Sequence, residues 1–188
     1  MANFLYRGDV ILKLYHIDRV RTLNCGILNL DKNKALGMDV VISEMFTNNL
    51  NSYYKNDLSS HGMHYHENEV SNSSFIIDII FEYERMLNFP NKLSRYESFF
   101  AFDKDDVIKF LSENKLEDYK IYEVESKYYE KHNMRLLKGN AQFIISELAK
   151  DYWNNDNRYN IDVDNPLDEY LLQFPINVIK EVKLEELK

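Results

Sequence analysis

The 188-residue sequence predicts an α+β fold with mixed or antiparallel β-sheets and helices packed around them. Three observations lead there. Short apolar runs rich in β-branched and aromatic residues alternate with segments whose apolar residues recur at helical spacing. The two kinds are interspersed in the order strand, helix, loop, helix, strand, helix, strand, helix and two strands. No repeat or low-complexity linker interrupts them, and a chain of this length has room for one sizeable core, so residues 1–188 read as a single domain.

Taken in order, Val10–Ile17 is the first strand. Alternation puts Tyr15 and Ile17 on one face and His16 on the other. His16, Asp18 and Arg19 then cluster at the strand's C-terminal edge, where they are able to hold a polar ligand. A hydrogen-bonded histidine at a strand end is the ordinary alternative. Arg21–Leu30 follows, with Gly26 as a helix stop or tight turn. Met38–Phe46 is a short strand or a helix, and the pattern does not decide between them. Residues 48–73, rich in Asn, Ser and His, read as a long exposed loop insertion. That loop holds His61, His64 and His66 with Glu67 and Glu69, donor types that zinc accepts. No fourth ligand or rigid frame accompanies them, so no metal site is expected there.

Ser73 or Ser74 can cap a helix running to about Leu87, with Ile76, Ile80, Tyr83 and Leu87 as its apolar stripe; the run Phe75–Phe81 alone would also pass for a strand. Ser94–Phe102 reads as a strand with a polar start and an aromatic body. Asp103 can cap a helix over Lys104–Glu113 with Val107, Phe110 and Leu111 inward. Tyr119–Val124 alternates as a strand, and Ala141–Trp153 has helical spacing through Ala141, Ile145, Leu148 and Tyr152. The chain closes on two strands, Glu169–Gln173 and Ile176–Val182. Pro175 between them removes a ladder donor, so a turn or a crossover between strand pairs is expected there. Glu169 heads the first of these strands. An acid in that place is also what a solubilised edge strand carries, and such an acid would lie outside the core.

Composition excludes several classes. A net charge of -8 argues against a general nucleic-acid binder, which needs a basic face to release counterions. One cysteine, Cys25, cannot form an internal disulfide, and no signal peptide or membrane span is visible, so a cytoplasmic protein is expected. Glycine is scarce, and neither a P-loop nor a GxGxxG turn occurs. A nucleotide would therefore need another cradle.

The combination of Tyr15-His16-Ile17-Asp18-Arg19, Ser94-Arg95-Tyr96-Glu97-Ser98-Phe99-Phe100-Ala101-Phe102, and Glu169-Tyr170-Leu171-Leu172 with Ile176-Asn177-Val178-Ile179 resembles the ADP-ribosyltransferase superfamily, in its small bacterial and phage branches. The resemblance implies a pair of packed, split β-sheets with surrounding helices and NAD in the cleft between them. It implies that His16 contacts the adenosine ribose. Ser94, Arg95, Phe99 and Phe100 would form the second motif, where an aromatic ring covers the nicotinamide. Glu169 would be the acid that hydrogen-bonds the nicotinamide ribose, and Arg95 or Arg19 could clamp the pyrophosphate in place of a glycine loop.

The chemistry suits those residue types. NAD loses nicotinamide through an oxocarbenium-like state, which a fixed carboxylate stabilises. The expected function is NAD-dependent mono-ADP-ribosyl transfer to a protein or nucleic-acid acceptor. The alternatives are a catalytically degenerate module acting by protein contact, or an NAD glycohydrolase. Asp168-Glu169 lacks the double-acid spacing of arginine-modifying relatives, so the acceptor residue stays open.

Overall fold

The computed structural model describes residues 12–30, 59, 73–137 and 144–188. Met38–Phe46, His61, His64, His66 and most of the 48–73 insertion lie outside the described residues. Among the described residues seven strands form two sheets: β1 (Leu14–Asp18), β4 (Lys120–Ser126), β7 (Ile176–Val182) and β2 (Gly26–Leu28) in that spatial order, and β3 (Phe99–Ala101), β6 (Asp168–Leu172) and β5 (Tyr129–Asn133). Every strand pairing among the described residues is antiparallel, so the fold is α+β and, of the mixed or antiparallel sheets expected, the antiparallel ones are found. Connections from one sheet to the other, together with the tight link from β4 to β5, leave each strand beside one running the opposite way.

The sheets meet where β1 approaches β3. Tyr15 and Phe102 exchange two backbone hydrogen bonds of 2.8 Å across an isolated bridge, and the ladder goes no further. The two sheets are thereby split yet tied at one point. Four helices among the described residues flank them: α1 (Ser73–Asn88), α2 (Lys104–Asn114), α3 (Ile145–Asn154) and the short α4 (Leu184–Leu187). The order of layers is helices, sheet, sheet, helices. Tyr15, Ile17, Ile121 and Val182 face α2 and α4. Leu14, Tyr122, Val124 and Val178 meet Ala101, Tyr170 and Leu172 between the sheets. Leu171 packs with Ile77 and Phe81 of α1 and with Leu148 and Tyr152 of α3.

Several elements sit where the pattern put them. Asp103 caps α2 by accepting the Asp106 N–H at 2.9 Å, and Val107, Phe110 and Leu111 are its buried stripe. Pro175 follows a cis peptide bond and carries the chain from β6 in one sheet to β7 in the other, as the lost ladder donor suggested.

Other elements depart from expectation. The first strand extends to Asp18, one residue beyond the expected end, while residues 10 and 11 lie outside the described region. No helix follows it. The buried carboxylate of Asp18 accepts the N–H groups of Val20, Arg21 and Leu23 at 3.0, 2.9 and 2.9 Å, which bends the chain into a turn, and Gly26 at φ 127° opens β2. In α1 three of the four predicted stripe residues, Ile76, Tyr83 and Leu87, are exposed and Ile80 is partly buried against the core, whereas Ile77, Phe81 and the charged Asp78, Glu82, Glu84 and Arg85 point inward. Helical period alone cannot tell the buried face when the inward one is partly ionic. The expected strand Ser94–Phe102 contracts to Phe99–Ala101, because Ser94 and Arg95 are drawn into a turn by side-chain bonds to α1. Strand β5 was not anticipated; its sequence, Tyr-Glu-Lys-His-Asn, carries little strand signal.

Candidate active site around Glu169

The buried charges of α1, the turn before β3, α3 and β6 converge on one network. Glu169 is the second residue of β6. It shares a face with Leu171 by the period of two, and so points toward α1 and α3 rather than toward the other sheet. Its Oε1 accepts the Tyr152 hydroxyl at 2.8 Å and also the Nη1–H of Arg95. Arg95 donates its Nε–H to Asp78 Oδ1 at 3.0 Å and an Nη1–H to the Tyr152 oxygen at 2.8 Å, with its guanidinium 4.9 Å from the Phe100 ring centre. One turn along α1, Glu82 Oε1 accepts from Arg85 Nε at 3.0 Å, from Arg85 Nη2 at 2.8 Å and from the Ser94 hydroxyl at 2.8 Å. Ser94 therefore anchors the turn that presents Arg95.

This network is out of water. Glu169 is 2% exposed, Arg95 5% and Tyr152 0%. The strand-head acid is thus part of the core, which corrects the expectation that it would sit outside. Burial works against the Arg95 charge, but Glu169, Tyr152 and Asp78 together raise its pKa well above the usual arginine value. Burial also raises the pKa of the Tyr152 hydroxyl well above its ordinary value; Arg95 opposes this and Glu169 reinforces it. The guanidinium stays charged and the phenol stays protonated.

The network continues across the sheet. His132 on β5 stands opposite Glu169 in register, is 1% exposed and stacks on the Tyr152 ring with centroids 4.5 Å apart. Its Nδ1–H donates to the Tyr152 carbonyl at 2.9 Å, and its Nε2 lies 3.4 Å from Glu130 Oε2. Glu130 and His132 border a groove of about 480 Å³ together with Lys92, Lys131 and Asp168.

His16 and Phe99 lie elsewhere. Their rings are 4.2 Å apart, and Phe99 packs toward the core between the sheets, whereas Phe100 faces the helices with Arg95. His16 Nδ1 donates to the Phe100 carbonyl at 2.7 Å. Burial lowers its pKa, against the pull of the Phe100 carbonyl and of Asp18, so the ring is neutral and Nε2 remains an acceptor. Arg19 is exposed beside this end of β1. Asp18 is not a ligand group here. Burial works against its charge, yet the Leu23, Arg21 and Val20 N–H groups outweigh burial and hold its pKa below the ordinary value.

The predicted residues thus fall into two groups on either side of β3: Ser94, Arg95, Phe100 and Glu169 on the helix side, and His16, Phe99 and Arg19 at the split between sheets. Sequence reading missed Asp78, Tyr152 and His132 as members of the site. Asp78 and Glu82 at i and i+4 on a helix, facing Ser94-Arg95, were the available signal. His132 had none, since β5 was not recognised. Among the described residues no cluster of three or more His, Cys, Asp or Glu side chains could hold a metal ion, and no helix is long and apolar enough to cross a membrane.

None of the curated proteins compared matches the chain. A family model described as "Protein of unknown function (DUF2441)" matches residues 14–184, which spans β1 to the start of α4 and includes every residue of both groups. The chain belongs to that DUF2441 family.

Proposed function

We propose that this protein is an NAD-dependent mono-ADP-ribosyltransferase acting on a protein or nucleic-acid acceptor, with Glu169 as the acid at the nicotinamide ribose. The observation that carries this reading is the split. Two antiparallel sheets are tied at the Tyr15–Phe102 bridge, with His16 on the strand at one lip and Glu169 on β6, directly paired with β3, the strand at the other lip. The resemblance implies NAD at such a split between two sheets, while the Glu169 side chain itself points to the helix side of β6. In this reading the neutral His16 offers Nε2 to a ribose hydroxyl, and Phe99 and Phe100 supply aromatic faces for planar rings. Nicotinamide leaves as the C1′–N bond breaks, the Glu169 carboxylate stabilises the positive charge left on the ribose, and the acceptor attacks C1′. Arg95 sets its guanidinium against the Glu169 carboxylate.

A specific observation favours a second reading, the catalytically degenerate module acting by protein contact. Arg95 and Glu169 are bonded to each other in the interior, and the His16 and Glu169 side chains lie on opposite sides of β3. The deciding experiment is incubation of the purified chain with NAD labelled in the adenylate, with and without host lysate. Released nicotinamide with label on a macromolecule supports transfer, release without label supports glycohydrolysis, and neither product supports the degenerate module.

A further inference from the structure

We propose that Tyr152 is the positioning residue of Glu169, fixing its Oε1 and with it the orientation of the carboxylate; this rests on the transferase reading above. The direction of the hydrogen bonds is forced. A guanidinium has donors and no acceptor, so the 2.8 Å contact between Arg95 Nη1 and the Tyr152 oxygen uses the phenol as acceptor. The single phenolic proton is then left for Glu169 Oε1, also at 2.8 Å. Arg95 and Tyr152 thus converge on one carboxylate oxygen.

The phenol is fixed to a rigid frame. Its ring stacks on His132 at 4.5 Å and meets the edges of Phe81 at 5.3 Å and Trp153 at 4.7 Å. Its carbonyl receives His132 Nδ1–H, and the Trp153 indole donates to the Phe81 carbonyl at 2.7 Å, tying α3 to α1. A carboxylate held this way loses the rotation that would otherwise have to be frozen at the transition state. Arg95 alone does not supply that restraint, since its guanidinium is shared with Asp78 on another element. The charged and titratable groups facing this point are Asp78 and Glu82 of α1, Arg95 of the turn, His132 of β5 and Glu169 of β6.

The test compares full-length wild type with Tyr152→Phe and with 3-fluorotyrosine at position 152, reading kcat and KM from nicotinamide release from NAD. Tyr152→Phe keeps the ring and its stacking but removes the donor. It should lower kcat by roughly 10- to 100-fold, the range for a hydrogen bond to a charged group, and leave KM for NAD within about twofold. Fluorination alters the strength of the phenol as a donor while keeping the hydroxyl, so it should change kcat and leave KM within about twofold. A wild-type protein that releases no nicotinamide overturns the transferase reading and this inference with it. Wild-type turnover with an unchanged kcat in both variants, a KM that rises as far as kcat falls, or a loss that tracks only melting temperature, overturns this inference alone. If Tyr152→Phe does not fold, the fluorinated protein decides: an unchanged kcat overturns the inference.

Discussion

Arg95 and Glu169 lie 74 residues apart in the chain and form an ion pair whose side chains are 5% and 3% exposed. A turn tied to α1 brings one and the head of β6 brings the other, so the pair exists only once both helices and the sheet are assembled. A buried pair of this kind is weak grounds for stability in itself, but breaking it leaves a charge without compensation.

The first prediction follows from that asymmetry. Glu169→Gln retains the shape and removes the charge, leaving Arg95 with Asp78 as its remaining carboxylate partner. The expected loss is about 3–5 kcal/mol in denaturant unfolding. Asp168→Asn alters only a partly exposed pair with Lys131 at 2.7 Å and should cost less than about 1 kcal/mol. Equal midpoints for the two variants would show that the pair is not buried in solution.

NAD binding provides the second. Ligand at about 100 times its dissociation constant should stabilise the fold by roughly 2.7 kcal/mol. At about 2–4 °C per kcal/mol for a chain of this size, a melting scan resolves it. A flat response to millimolar NAD and to nicotinamide analogues would favour the degenerate module.

The third concerns pH. Asp106 at the start of α2 has its pKa raised from 3.8 to about 6, first by burial and then by Asp103; the Asp168 N–H opposes the rise and the Asp168 carboxylate adds to it. Between these values the folded state holds the proton more tightly than the unfolded one, so Asp106 costs stability as pH rises from about 4 to about 6. Asp106→Asn keeps an acceptor for the Asp168 N–H, which reaches it at 3.1 Å, and removes the titration. The variant should gain on wild type across that window, by roughly 1 kcal/mol after solvent screening. Unfolding curves at pH 4 and pH 7 that differ equally for both proteins would refute it.

The fourth concerns Asp18. Its carboxylate satisfies three backbone N–H groups in the turn leading to β2, so Asp18→Ala should cost at least about 2 kcal/mol. Because its folded pKa is depressed, this stability is present above the ordinary aspartate value and is lost as pH falls through the lowered one. Ser or Asn at position 18 should recover part of it, and an Ala variant with an unchanged melting temperature would remove the turn from the folding argument.

The sequence by itself determined the elements whose information is local. The Asp103 cap and the Val107, Phe110, Leu111 stripe of α2 lie within nine residues, and the break that sends the chain from one sheet to the other is marked by Pro175 alone. It also set His16, Ser94, Arg95 and Glu169 apart, through the family resemblance rather than through their local chemistry. Only the tertiary structure decided what those residues touch. The inward face of α1 could not be read from its period, because Asp78, Glu82 and Arg85 are tolerable inside only when Ser94, Arg95, Tyr152 and Glu169 arrive from distant parts of the chain. The polar strand β5, and with it His132, is held by its pairing with β6 rather than by its own propensity. The alternation that sets Phe99 toward the sheets and Phe100 toward the helices was legible, but which side held the carboxylate was not. That depends on which face of β6 packs on α3, a contact set by the burial of Leu171 against Tyr152 and its neighbours.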